Sequence, residues 1–125
     1  MSRKFSILGL VAAGALCVAA DTSSVGVTFG NTIMSTYPDG RTAELWIAPD
    51  GTYTAEGRRH DPSNGHWKIK AAKICLKQTT PRPPLPITVC KAMPISGIGA
   101  TWSDRAVTGE KIQIKLVKGH VTGPV

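Results

Sequence analysis

Two copies of a Pro-Asp-Gly tripeptide constrain the fold of this chain more than any other feature. The first is Pro38-Asp39-Gly40, and the pattern returns eleven residues later as Pro49-Asp50-Gly51. Proline presets the first turn residue, aspartate tolerates the second, and glycine supplies the left-handed residue that follows. Two such turns one strand apart predict a β-meander joined by three-residue hairpin loops.

Alternation of apolar and polar residues predicts the strands of this meander near residues 31–37, 41–48, 52–59 and 66–71. A three-residue loop fixes the register of the strands that it joins. The first loop therefore pairs Ile33 with Leu45, and the second pairs Leu45 with Ala55. These residues are predicted to share the inward face of the sheet.

The register of the fourth strand is less constrained, because the loop around 61–65 is longer. The pairing that keeps apolar faces together sets Gly57 beside Trp67. In that register Trp67 faces inward and fills the space left by the small residues Ser35, Ala43 and Gly57.

The second half of the chain predicts more short strands and no helix. Strands are expected near 73–78, 87–93, 97–103 and 111–117, and four prolines make 79–86 a stiff extended loop. Seven to nine short strands predict an all-β fold. We expect a small antiparallel meander that closes into a barrel or sandwich.

The N-terminus has the features of a secretory signal peptide. Arg3 and Lys4 precede an apolar run that ends at Leu16, and Ala20 is a small residue suited to cleavage. The run is too short for a membrane span, which needs about 20 apolar residues. We expect cleavage after Ala20 and a periplasmic or secreted protein. Lipidation of Cys17 is the rival interpretation. Bulky Leu16 disfavours it, because a small residue is expected directly before the lipidated cysteine.

Cleavage would leave two cysteines, Cys75 and Cys90. A pair of cysteines in an exported protein predicts a disulfide bond. Closing a loop of about 15 residues stabilises the fold by roughly 3 kcal/mol in the chain-entropy model. The predicted organisation is a signal peptide at 1–20, one β-barrel-like domain at 21–118 and a flexible tail at 119–125.

Basic residues are concentrated in the middle of the chain. The whole chain has a formal net charge of +7, and eight Lys and Arg residues between Arg58 and Lys91 face only one acid, Asp61. Such a stretch could meet anionic lipid, polysaccharide or nucleic acid, or it could be a solvated sheet face. Export disfavours nucleic acid.

Candidate catalytic groups are few, and we expect a non-enzyme without a cofactor. Glu44 and Glu56 lie opposite one another, as in a glycosidase pair. The predicted register puts them on an outward face with Lys68, where Glu56 and Lys68 would form an ion pair. The two mature cysteines are taken by the disulfide, and no serine has a nucleophile-elbow context.

A metal site is the weaker candidate for chemistry. His60, Asp61 and His66 surround one predicted loop and could together hold a divalent ion. Their spacing matches no established zinc pattern. Turn formation already accounts for the segment that runs from Asp61 to Gly65.

An outward Trp46 flanked by cations is the candidate ligand-binding surface. The predicted register places Lys68 and Lys70 near this indole, with Arg58 and Arg59 at its edge. An indole beside cations can stack on sugars or protein while the cations hold anions. Alternatively, the N-terminal segment around 25–29 or the proline loop covers Trp46.

Several short motifs occur in order over about 60 residues. They are Gly30-Asn31-Thr32, Asp39-Gly40, Asp50-Gly51-Thr52, Gly65-His66-Trp67, and the late pair Cys75 and Cys90. In this pattern the chain resembles small exported, lipocalin-like β-barrel proteins of proteobacteria that are catalogued as domains of unknown function. The resemblance implies a periplasmic or secreted β-barrel and carries over no catalytic residue.

Three functions are compatible with these features. The leading hypothesis is a non-enzymatic binding protein that presents Trp46, Lys68 and Lys70 to an anionic polysaccharide, a lipid head group or an envelope protein. The second is an inhibitor or accessory subunit that docks through the proline loop at 79–86. The third is a metal-binding envelope protein that uses the 60–66 loop.

Overall fold

Eight antiparallel strands form one curled sheet in a computed structural model that describes residues 25–123. The predicted signal peptide, its cleavage near Ala20 and Cys17 lie outside the described residues. The strands are β1 (Thr32–Thr36), β2 (Thr42–Ile47), β3 (Thr52–Glu56), β4 (Pro62–Lys70), β5 (Lys73–Thr80), β6 (Thr88–Ala92), β7 (Thr101–Arg105) and β8 (Lys111–Val117). The order across the sheet is β6-β5-β4-β3-β2-β1-β8-β7, so β6 and β7 are its edges. The predicted all-β fold is confirmed, and the sheet is a half-barrel.

The two Pro-Asp-Gly turns are the three-residue hairpin loops that the sequence predicts. Gly40 and Gly51 have φ angles of 85° and 92°. Asp39 accepts a hydrogen bond from the amide of Arg41 at 2.9 Å, and Asp50 accepts one from Thr52 at 3.0 Å. The resulting register matches the prediction, because Leu45 pairs with both Ile33 and Ala55.

A third loop of the same kind overturns the predicted register of β4. Gly57 donates its amide to the carbonyl of Asp61 at 3.0 Å, so Arg58-Arg59-His60 is another three-residue loop. His60 occupies the left-handed position with a φ of 64°, where the other loops have glycine. The loop was not recognised in the sequence, because histidine indicates a positive φ less strongly than glycine does.

β4 consequently starts at Pro62, and the segment expected to be a turn is strand. Gly57 lies opposite Asp61 rather than Trp67, and Glu56 lies opposite Pro62 rather than Lys68. The predicted Glu56–Lys68 ion pair is therefore wrong. The shift amounts to an even number of residues, so each β4 side chain stays on its predicted face.

The core lies inside the curl of the sheet and is sealed near the start of the described chain. It comprises Val25, Ile33, Ile47, Tyr53, Ile74, Ile95, Ile112, Ile114 and Leu116. The ring of Phe29 lies 6.0 Å from that of Trp67, whose indole nitrogen donates to the carbonyl of Ala48 at 2.7 Å. Trp67 is thus inward as predicted, but it closes one end of the half-barrel instead of filling its middle.

The predicted disulfide is present between neighbouring strands. Cys75 on β5 pairs directly with Cys90 on β6, and their sulfur atoms are bonded. The pair stands on the outer face, because Cys75 alternates with the inward residues Ile74 and Leu76. Residues 25–123 include no helix with the length and apolarity needed to cross a bilayer.

Candidate functional site

Trp46 points outward as predicted, but another part of the chain covers it. The imidazole of His120 stacks on the indole with ring centroids 4.1 Å apart and an interplanar angle of 14°. The indole N–H donates to the hydroxyl of Thr32 at 2.9 Å. The alternative to an exposed Trp46 was a cover formed by the N-terminal segment or the proline loop, whereas the cover is the C-terminal segment. The indole of Trp46 is therefore packed against residues of the same chain.

The C-terminal segment, residues 118–123, lies across the outer face of β1 and β2. Gly119 donates its amide to Asn31 at 2.9 Å, and Val121 donates to the hydroxyl of Thr32 at 3.0 Å. Gly123 donates to the carboxylate of Glu44 at 3.2 Å. These contacts engage most of the stretch for which the sequence predicted a flexible tail. Glu44 is buried beneath it, not part of a surface charge row.

The side chain of Arg58 connects neighbouring hairpin loops. Its guanidinium donates to Glu110 at 2.7 Å, approaches Asp39 at 3.6 Å and stacks 4.2 Å above the ring of Tyr37. The hydrogen bond to Glu110 is the main cause that raises the pKa of Arg58. A hydrogen bond from the Thr108 hydroxyl, followed by that from Arg58, lowers the pKa of Glu110. Arg58 therefore links its own hairpin loop to the loops that carry Asp39 and Glu110, at one end of the half-barrel.

Lys68 and Lys70 belong to a different surface from Trp46 and Arg58. Because β4 is shifted, Trp46 is aligned through Thr54 with Asn64, and the two lysines lie further along β4. The predicted patch is thus dispersed. Arg59 is exposed on the 58–60 loop and lies with Arg58 in a shallow depression at the loop end.

Lys68 and Lys70 instead join other basic residues on the outer face of β4 and β5. Lys70 lies directly opposite Lys73, and His66 lies opposite Lys77. All of these side chains are exposed, and none takes part in the ion pairs found within residues 25–123. We call this surface the lysine face; its members are Lys68, Lys70, Lys73 and Lys77.

The residues predicted as metal ligands do not converge. The His60 imidazole contacts Glu56, the last residue of β3, at 3.1 Å, whereas His66 lies further along β4, opposite Thr52. The carbonyl of Asp61 is used in the hairpin pairing with Gly57. No group of three or more His, Cys, Asp or Glu residues between 25 and 123 could hold a metal ion.

The proline loop and the residue that follows it each expose one apolar side chain to solvent. Leu85 is 65% exposed and Ile87 is 56% exposed. Gln78 donates its amide to the carbonyl of Pro81 at 2.7 Å and anchors the start of the loop to β5. The loop also borders a shallow groove with Lys77 and Arg82.

A half-open cavity on the concave side of the sheet was not predicted from the sequence. It has a volume of about 400 Å³ and is lined by residues from all eight strands. The space exists because Trp67 lies further along β4 than predicted, so no large ring fills the gap between the small inward residues. Those small residues are Ser35, Ala43, Ala55, Gly57 and Ser63. Their clustering on one inward face was a sequence signal for the cavity. The predicted register instead filled this space with the side chain of Trp67.

Comparison with protein-family models, with curated proteins and with solved structures finds no match to this chain. The lipocalin-like resemblance accordingly stays an expectation from sequence motifs.

Proposed function

We propose that this protein is an exported, non-enzymatic binding protein that attaches to an anionic surface of the cell envelope through its lysine face. The observation that carries the proposal is the juxtaposition of Lys70 and Lys73 on neighbouring strands, with Lys68 and Lys77 on the same face. Like charges directly opposite in an antiparallel pair destabilise a sheet. A bound anion would relieve that repulsion.

The chemistry of the face favours polyanions over single small anions. Exposed ammonium groups are strongly hydrated point charges, so each contributes little alone. Several such groups on two adjacent strands act together on a partner that carries repeated negative charge. Acidic polysaccharides and anionic lipid head groups both present such charge, and the two can be distinguished by experiment.

Lys70→Gln combined with Lys73→Gln tests the proposal. The matched control is Lys111→Gln with Lys115→Gln, which removes the same charge from exposed positions on β8. At low salt the lysine-face variant should lose about 2 kcal/mol of binding to phosphatidylglycerol vesicles, since each lysine near such a surface contributes about 1 kcal/mol. That is roughly a 30-fold weaker affinity.

Co-sedimentation with vesicles and titration with dextran sulfate are the measurements. Binding should fall steeply as salt rises, and phosphatidylcholine vesicles should not bind. Preference for dextran sulfate over vesicles would identify polysaccharide as the partner class. Equal losses in the two double variants would show that only net charge matters, and the proposal would then fail.

The proline loop supports a second candidate function, docking on a protein partner. Leu85 is exposed on this stiff proline-rich loop and Ile87 is exposed directly after it, and adjacent exposed apolar side chains are suited to protein contact. Leu85→Ser with Ile87→Ser should abolish capture of a specific envelope protein. Ile98→Ser, which alters an exposed apolar residue in another loop, should leave capture intact. Equal capture by all variants would exclude the loop as the docking element.

A further inference from the structure

The disulfide bond between Cys75 and Cys90 lies in the middle of the lysine face. Lys68 of β4 pairs directly with Cys75. Lys73 and Lys77 lie two residues to either side of Cys75 on β5, so they share its outward face. Directly opposite residues of an antiparallel pair have Cβ atoms about 4.5–5.5 Å apart, and same-face residues along a strand are about 7 Å apart. Lysines therefore occupy three of the four nearest positions around Cys75 on this face, and Cys90 occupies the fourth.

No carboxylate within these strands neutralises the positive charge around the bridge. β4, β5 and β6 contain no Asp or Glu. The three flanking lysines are exposed and take part in none of the ion pairs found within residues 25–123. A nearby cation favours the ionised form of a thiol, which is why cysteines beside lysines are reactive. A thiolate released at Cys75 would therefore be stabilised by its neighbours.

The two cysteines differ in their accessibility to a thiol reagent. Cys75 is 3% exposed, whereas Cys90 is exposed on β6, an edge of the sheet. Disulfide exchange proceeds by attack of a thiolate in line with the sulfur–sulfur bond, and it depends on which sulfur can be reached. The approach to Cys75 from the side opposite Cys90 is occupied by β4 and Lys68. Attack at Cys90, with Cys75 as the leaving group, is therefore favoured.

From these observations we infer that the Cys75–Cys90 bridge is a thiol-exchange site of the folded protein and accepts two electrons from a dithiol. The first thiolate of the dithiol bonds to the Sγ of Cys90. The electron pair of the broken sulfur–sulfur bond leaves with the Sγ of Cys75, and the flanking lysines stabilise that thiolate.

A second displacement completes the exchange. The other thiolate of the dithiol attacks its own sulfur in the mixed disulfide, and the electron pair of that bond leaves with the Sγ of Cys90. The dithiol is thereby oxidised to a disulfide, and the two cysteines of the chain are reduced. The two protons that the dithiol loses are returned to the two cysteines through water. The reaction class is thiol–disulfide exchange, and its substrate is a molecule or protein with two neighbouring thiols.

The rate of reduction by dithiothreitol tests the role of the flanking lysines. Lys68→Gln with Lys77→Gln removes two of their charges and should slow reduction about threefold or more, because a less stabilised thiolate is a poorer leaving group. Lys111→Gln with Lys115→Gln removes the same net charge from exposed positions of β8 and should leave the rate nearly unchanged. Equal rates for the two double variants would overturn the inference.

Low concentrations of urea separate exchange in the folded chain from exchange that requires unfolding. Direct attack on Cys90 should have the same rate constant throughout the urea range below the unfolding transition. A rate constant that rises exponentially with urea would show that only unfolded chains are reduced, because the free energy of unfolding falls linearly with urea. That result would also overturn the inference.

A monothiol identifies the sulfur that is attacked. A brief exposure to glutathione, quenched with iodoacetamide, should leave glutathione on Cys90 and the alkyl group on Cys75, as located by peptide mass spectrometry. Glutathione on Cys75 would contradict the proposed direction. The inference does not rest on polyanion binding, which is measured on the oxidised chain with dextran sulfate or vesicles. The exchange site and the lysine-face proposal can therefore fail separately.

Discussion

Thr32→Val should remove the central anchor of the C-terminal segment. The Thr32 side chain is fully buried, and its hydroxyl makes three hydrogen bonds. It accepts from the indole of Trp46 at 2.9 Å and from the amide of Val121 at 3.0 Å, and it donates to the carbonyl of Gly119 at 2.7 Å. One donor and two acceptor positions are the full capacity of a hydroxyl. Valine has nearly the same shape and is equally suited to a strand.

The expected cost follows from the groups that lose a partner. Each buried donor or acceptor left unsatisfied costs about 1–3 kcal/mol. The amide of Val121 and the carbonyl of Gly119 can recover water if the C-terminal segment lifts, but the segment then loses its stacking of His120 on Trp46. We therefore expect Thr32→Val to lower the free energy of unfolding by about 3 kcal/mol.

Urea denaturation followed by tryptophan fluorescence measures this loss, and amide hydrogen exchange at Gly119 and Val121 locates it. Thr36→Val is the control, because Thr36 is exposed on the same face of β1. It should change stability by less than about 0.5 kcal/mol, as is usual for surface substitutions. Equal stabilities for the two variants, with unchanged exchange in the segment, would refute the anchoring role of Thr32.

Three further predictions concern the sheet. Gly65→Ala should destabilise the fold by about 3 kcal/mol or more, because a Cβ there would overlap the carbonyl oxygen of Lys77. Gly57→Ala meets only ordinary contact and should cost much less in the same melting experiment. Burial raises the pKa of Tyr53, so its contribution to stability is complete below the usual tyrosine pKa of about 10 and is lost as pH rises beyond it. Wild type should therefore lose more stability than Tyr53→Phe as the pH rises above about 10. Urea midpoints that fall equally for the two proteins over this range would contradict the prediction. Replacing Cys75 and Cys90 with alanine should lower stability by roughly 3 kcal/mol, measured in urea, since the bridge closes a 15-residue separation.

Local chemistry explains which parts of the fold were predictable. The aspartates of the two Pro-Asp-Gly turns capture amides two residues further on, so these turns and the register of β1, β2 and β3 follow from short segments. Strand alternation has a period of two, so Trp67 was assigned to the correct face even though its partner was wrong. The Cys75–Cys90 bridge followed from the number of cysteines that remain if the predicted signal peptide is removed.

Binding surfaces were less predictable, because they depend on how strands align. The third hairpin loop puts His60 in a conformation that usually belongs to glycine, and this moves the starting residue of β4. One shift of register separates Lys68 from Glu56 and from Trp46, and it leaves the cavity open. No residue near 60 signals these consequences, since they appear only when β4 is paired with both of its neighbours.

The sequence by itself determined the hairpins, the inward and outward faces and the disulfide, since each depends on residues close together in the chain or on a simple pairing rule. The tertiary structure alone decided what covers Trp46. His120 stacks on Trp46. The segment around it is held by hydrogen bonds from Gly119 to Asn31 and from Val121 to Thr32, residues almost ninety positions apart in the chain. Contacts over such separations depend on the pairing of β1 with β8, which places Val117 opposite Thr32 and brings the two ends of the domain together. The curl of the sheet creates the half-open cavity and brings Lys91 of β6 close to Asp104 of β7.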